Sequence, residues 1–326
     1  MRWLALLGAI LIGGSAGVTT EPGPLVLETR IALGEVKGRI DHLAADSGRQ
    51  RLFVTELGNN TLGVIDLKER KVIRTIGGLR EPQGVGYLPA TDTLYVASAG
   101  DGSVRLFQGE NLPESGRIDL GDDADNIRID TEAKEIFVGY GQGALAVVAP
   151  GGAKIADIPL KGHPEGFRLE RASGRIFVNV PDAGEIAVVD RKEAKQVASW
   201  KLPDARANFP MALGEDANLL VVVTRKPARM FVLDTDRGNM LAELEACGDA
   251  DDVFSDARRH LIYVSCGQGF IDVFAQNGTG HVRKARVPTA KGARTSLFLP
   301  ETDRLYVAVP ATSGEPAALW VFRPSP

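Results

Sequence analysis

Seven near-identical β-rich phrases at one spacing, four strand-like runs around each phrase, and one run left over at the start of the chain predict an all-β fold. The fold class expected is a seven-bladed β-propeller with four antiparallel strands per blade, closed by the N-terminal strand completing the last blade. The phrases are Leu52-Phe53-Val54-Thr55, Leu94-Tyr95-Val96-Ala97, Ile136-Phe137-Val138-Gly139, Ile176-Phe177-Val178-Asn179, Leu220-Val221-Val222-Val223, Ile262-Tyr263-Val264-Ser265 and Leu305-Tyr306-Val307-Ala308. Their first residues are separated by 42, 42, 40, 44, 42 and 43 positions.

Each phrase sits in the same local plan. An apolar run and a tight turn precede it, as in Leu43-Ala44-Ala45 followed by Asp46-Ser47-Gly48-Arg49. A Gly- or Asn-containing turn and a third run follow it, as in Gly58-Asn59-Asn60 and then Leu62-Gly63-Val64-Ile65. A fourth run, such as Lys71-Val72-Ile73-Arg74-Thr75-Ile76, ends the unit. Alternating β-branched and aromatic residues between turn formers are the mark of strands. The glycines of Gly141-Gln142-Gly143 and Gly267-Gln268-Gly269 recur at the same turn, so they read as turn residues and not as a phosphate loop. The last unit, from Arg294 to Phe322, holds only three runs, and Leu25–Ile31 has the alternation of the missing fourth. Pairing the two closes the ring and leaves no sheet short of an edge.

Residues 1–16 carry one positive charge at Arg2, an apolar run from Trp3 to Ile12 and a small-x-small end at Gly14-Ser15-Ala16. That is the pattern of a signal peptide ending by about residue 20, with an apolar run too short to span a bilayer. Residues 24–326 are then expected as one propeller domain in a periplasmic or secreted protein, a monomer with no membrane span after cleavage. The 37 glycines and 18 prolines suit a turn-rich chain, and the net charge of −4 argues against nucleic acid as a partner.

The Leu/Ile-Tyr/Phe-Val phrase, the 42-residue unit and the leader resemble the YVTN-repeat β-propeller family of exported bacterial proteins. The resemblance implies the fold and leaves the activity open, because such propellers include lactonases, redox subunits and adhesive surface proteins.

Propellers place functional groups where the chain enters each innermost strand. Eleven residues before each phrase stand Asp41, Gln83, Asp125, Glu165, Phe209, Asp251 and Arg294, a mostly polar column at the channel mouth. Arg39, His42, Asp122, Asp123, Asn126, His163, Asn208, Asp249 and Asp252 lie beside it. The bland interpretation is a solvated polar lining. The functional one is that Asp125, Glu165, Asn208 and Asp251 converge from different blades on a hard divalent cation such as Ca²⁺. That would resemble the single-metal site of the propeller lactonases and phosphotriesterases in chemistry, since the spacing and flanking residues of that family are missing. His42 and His163 could share a metal only across a narrow mouth. Glu56, Tyr140, Asp182, Arg225 and Gln268, in turns after the second strand, are expected to form the rim. Cys247 and Cys266, at two strand ends expected on the mouth side, are placed for a disulfide.

No nucleophile elbow, Walker loop or CxxCH is present. The leading expectation is a binding or scaffold propeller presenting an acidic mouth to a small polar ligand, a cation or a protein partner. The alternative is a divalent-metal-dependent lactonase or phosphoesterase working through the mouth carboxylates.

Overall fold

The computed structural model describes residues 23–214, 218–278 and 280–326. They form seven four-stranded antiparallel sheets, numbered here as blades 1 to 7 in chain order. Blade 1 runs outward through Leu43–Asp46, Arg51–Glu56, Thr61–Asp66 and Lys71–Ile76, and blades 2 to 6 repeat that order. Blade 7 takes Ser296–Leu299, Arg304–Val309 and Ala318–Pro324 from the end of the chain, and Leu25–Ala32 as its outermost strand. Leu25 lies opposite Pro324 and Ala32 opposite Ala318, so the ring is latched by the strand expected to latch it. The leader expected in residues 1–16 lies outside the described residues. Among the described residues no helix is long and apolar enough to cross a membrane.

The repeated phrase has a packing reason. It occupies the second strand of each blade, where side chains alternate between the two faces of the sheet. In blade 1, Leu52 and Val54 share a core with Tyr306 and Leu319 of blade 7, while Phe53 shares one with Val85 and Leu94 of blade 2. In blade 3, Ile136 and Val138 join Tyr95 of blade 2, and Phe137 joins Phe167 of blade 4. Each phrase therefore sends its first and third residues toward the preceding blade and its second toward the next. Each such side chain, once fully buried, contributes roughly 1.5–3 kcal/mol.

Blade 5 departs from this pattern, because Val221 stands where the other blades carry an aromatic ring. Its interface with blade 6 buries the Cys247–Cys266 disulfide in the same cluster as Val221, Val223 and Ile262. The bridge expected from the two strand ends is present, with the Cα atoms 5.8 Å apart.

Candidate functional site at the channel mouth

The eleven-residue spacing of the column is a matter of register. The main-chain N–H groups of Asp41, Asp125 and Glu165 donate to the carbonyls of Thr55, Gly139 and Asn179, each the fourth residue of its own blade's phrase, at 2.8, 2.9 and 2.9 Å. The column is thus pinned to the second strand before its side chains meet anything. Close approach of neighbouring inner strands does the rest. A Cβ on Gly84 would come within 2.0 Å of the Asp125 carbonyl oxygen, so only glycine lets blade 2 lie this near Asp125.

Gln83, Asp125, Glu165, Phe209, Asp251 and Arg294 line one cavity of about 170 Å³, together with Arg39, Asp123, His163 and Arg225. Asp41, the remaining column residue, is buried beneath it. Arg39 Nη2 stands 2.8 Å from its carboxylate, and His42 Nε2 stands 3.8 Å from it.

One half of the cavity is rich in unneutralised acceptors. Asp125, His163 and Glu165 each offer a ligand atom, and the three atoms lie within 4.8 Å of one another. His163 Nδ1 is 2.7 Å from the Gly141 carbonyl, which can only accept, so that nitrogen carries the proton. Its Nε2 is left facing Asp125 at 3.7 Å. Asp125 is buried, and its Oδ1 has no hydrogen-bond partner. Burial, reinforced by the neighbouring Asp125 charge, pushes the Glu165 carboxyl up to about 8. Burial alone would lower His163, but Asp125, the Gly141 carbonyl and Asp123 outweigh it and raise the imidazole to about 9. Protons held this tightly are what a bound cation would displace.

The other half is internally paired. Asp251 Oδ1 accepts from Arg225 Nη2 at 2.5 Å, and its Oδ2 lies 3.0 Å from Arg294 Nε. Asp249 bridges the same two arginines at 3.4 and 3.0 Å. Phe209, the apolar member of the column, is the platform on which the Arg225 guanidinium stacks, 4.0 Å from the ring centroid. Burial raises Asp251 despite the lowering influence of Arg225 and Arg294.

The four ligands expected for a hard cation are therefore not assembled. Asn208 is buried and donates to Asn179 Oδ1 and the Glu185 carbonyl, at 2.9 and 3.1 Å, which ties blade 5 to blade 4. Asp251 is occupied by arginines, and His163 joins Asp125 and Glu165 instead. Asn126, His42 and Asp252 sit one level deeper, around a waist of about 10 Å³ that scarcely admits one water. His42 lies 3.7 Å from Asp252 and does not share ligands with His163. Burial lowers His42, but Asp252 and Asp41 overcome it and raise the ring to about 9. Of the expected rim, Arg225 reaches the cavity, whereas Glu56 is buried and accepts the Thr61 hydroxyl at 2.5 Å. Asp123, one of the positions expected beside the column, also lines the cavity.

Neither a family model nor a curated protein matches the chain by sequence. Among solved structures it is similar to a chain of the Kuenenia stuttgartiensis hydrazine synthase, with a TM-score of 0.77 and 16% identity over 96% of this chain and 99% of that one. A chain of a mitotic checkpoint complex gives 0.75 and 13% identity over 98% of each. The chain is a seven-bladed β-propeller. At such identities the similarity establishes the propeller and carries no activity with it.

Proposed function

We propose that this chain is an exported binding propeller of the YVTN-repeat type whose mouth holds a divalent cation, offered there to a small polar ligand or a partner protein. The observation that carries the reading is the meeting of Asp125, His163 and Glu165 within 4.8 Å around a buried Asp125 oxygen that has no partner. One imidazole with two carboxylates favours a first-row transition ion such as Mn²⁺, Ni²⁺ or Zn²⁺ over the Ca²⁺ that an all-oxygen set would select. The cavity of about 170 Å³ is below the roughly 300–1,000 Å³ of drug-sized pockets, which suits an ion with a few waters or a small anion. Export is supported by the leader pattern and by the Cys247–Cys266 bridge.

Titration of chelator-treated protein with Zn²⁺ and Mn²⁺, followed by calorimetry and melting, tests the reading. One ion per chain and a rise in Tm are expected, with affinity falling at least tenfold in Asp125→Asn and in His163→Ala. No heat and no melting shift with either metal would remove it.

A hydrolytic reading draws on Arg39, Arg225 and Arg294 lining the same cavity, where they could face an anionic substrate group. Here the ion would polarise a carbonyl or phosphoryl oxygen. Arg225 and Arg294 are already engaged by Asp249 and Asp251, which favours binding over turnover. Metal-loaded protein that leaves lactones and phosphodiesters intact would end this second reading.

A further inference from the structure

Below the waist the channel widens into a second chamber of about 410 Å³, on the side of the ring away from the mouth. It reaches the turns between first and second strands, where Ser47 and Glu301 stand. A groove of about 580 Å³ opens on the same side and shares Arg168 and Phe254 with it. The chamber's walls are mixed and somewhat more apolar than polar, with Ile127, Ile129, Phe254 and Leu297 forming an apolar stretch. At its inner end, against the waist, stand Arg128 and Arg168.

These two arginines are neighbours with no carboxylate in direct contact among the described residues. Arg128 Nε and Arg168 Nη1 both donate to the Phe167 carbonyl, at 3.2 and 2.9 Å, and Arg128 Nη1 donates to the Ile127 carbonyl at 2.7 Å. A guanidinium has five N–H donors, so most of those here meet no protein acceptor among the described residues. Other part-buried arginines behave differently: Arg191, Arg225, Arg259 and Arg294 each hold a carboxylate oxygen at 3.0 Å or less. Of the two acids bordering the chamber, Glu301 stands at its far, exposed end, and Asp252 spends Oδ2 on the Ser296 N–H at 2.7 Å and turns Oδ1 toward His42. Burial lowers Arg128, and burial together with the Arg128 charge lowers Arg168 to about 9, with the Asp252 charge opposing both only in part. Two like charges part-buried side by side in one chamber favour an added anion, and the planar fork of arginine is well suited to a carboxylate.

We propose that this chamber is a binding site for an amphipathic organic carboxylate, its head gripped by Arg128 and Arg168 and its apolar body laid along Ile127, Ile129, Phe254 and Leu297. The site is independent of the mouth. Its volume lies within the roughly 300–1,000 Å³ of small-molecule pockets. The apolar stretch argues against a bare inorganic anion, and the paired guanidiniums argue against an uncharged lipid.

The full chain would be titrated calorimetrically with decanoate, decanol and inorganic sulfate, all below micellar concentrations. Decanoate should bind once per chain, with decanol and sulfate at least tenfold weaker. Decanoate affinity should fall at least tenfold in the Arg128→Gln/Arg168→Gln double variant. The Tm of that variant should not fall, because the substitutions remove a repulsion. Lys71→Gln and Lys195→Gln, which delete the same charge from exposed outer strands, should leave binding unchanged. Should the double variant not fold, Arg128→Lys/Arg168→Lys keeps both charges without the fork and should still weaken decanoate more than sulfate. Absence of decanoate binding, decanol binding as tightly, or undiminished binding in the arginine variants would each overturn the proposal.

Discussion

Asp125 and Asp251 occupy the same place in two repeats, eleven residues ahead of their phrases, and line the same small cavity. Their surroundings are opposite. Asp125 faces His163 and Glu165 and keeps one buried oxygen without a partner, whereas Asp251 is held between Arg225 and Arg294. The difference comes from what other blades deliver: blade 4 brings an imidazole and a carboxyl to one acid, and blades 5 and 7 bring guanidinium groups to the other. In a ring of repeats, a position's chemistry is written by its neighbours as much as by its own residue.

The largest effect should come from deleting the paired acid. Asp251→Ala leaves Arg225 and Arg294 with only Asp249 between them and should cost about 3 kcal/mol or a little more in urea unfolding, the low end of the range for breaking a buried pair. Asp125→Ala in metal-free buffer should cost less, about 1–2 kcal/mol, since its one cationic neighbour, His163, stands 3.7 Å away and keeps its bond to the Gly141 carbonyl. Equal losses in the two variants would erase the contrast.

Next is the bridge beside the paired half. The Cys247→Ser/Cys266→Ser variant opens a link between residues 19 apart and should lose about 3 kcal/mol. Hydrogen exchange should quicken around Asp249 to Asp252 more than around Asp125, because Gly267 N–H donates to the Asp249 carbonyl at 2.8 Å just past the bridge. Uniform loosening of the ring would contradict a local role for the staple.

The waist supplies a pH test. His42 is raised from 6.5 to about 9, so its stabilisation is complete below pH 6.5 and is lost as pH rises through 9. Asp41, pushed from 3.8 to about 7 chiefly by burial, acts in the same sense: the folded state keeps a proton that the unfolded chain has shed. The urea midpoint should therefore fall between pH 6 and pH 9. His42→Gln should flatten that slope without abolishing it, because His163 is also raised to about 9. A midpoint that rose with pH would refute the assignment.

The smallest effect belongs to Arg39, whose side chain is 42% exposed beside Asp41. Arg39→Ala should shift stability by less than about 1 kcal/mol by the same unfolding measurement.

Much of the fold was legible because it depends on local alternation. Leu52, Phe53 and Val54 announce a strand buried on both faces, and seven such phrases with one leftover strand at Leu25 announce a closed ring. The column was legible for the same reason, since a constant spacing to the phrase is a constant register within one blade. The site itself was only half legible. Asp125 and Glu165 were readable as mouth acids, but Asn208 turns to Asn179, Glu56 turns to Thr61, and Asp251 is claimed by Arg225 and Arg294. Arg128 and Arg168 share one register, eight residues before Ile136 and Ile176, but their meeting on one carbonyl is set by the approach of the two blades.

By itself the sequence determined the blade, the number of blades, the closing strand, the disulfide and the ring of positions from which a site could be made. Each of these follows from the alternation of faces along a strand or from the ends of strands a few residues apart. Only the tertiary structure decided which of those positions ligate, which pair and which are left unneutralised. That choice depends on side chains from blades dozens of residues apart, brought within a few ångströms by the curvature of the ring, where burial and neighbouring charge outweigh the character of any single residue.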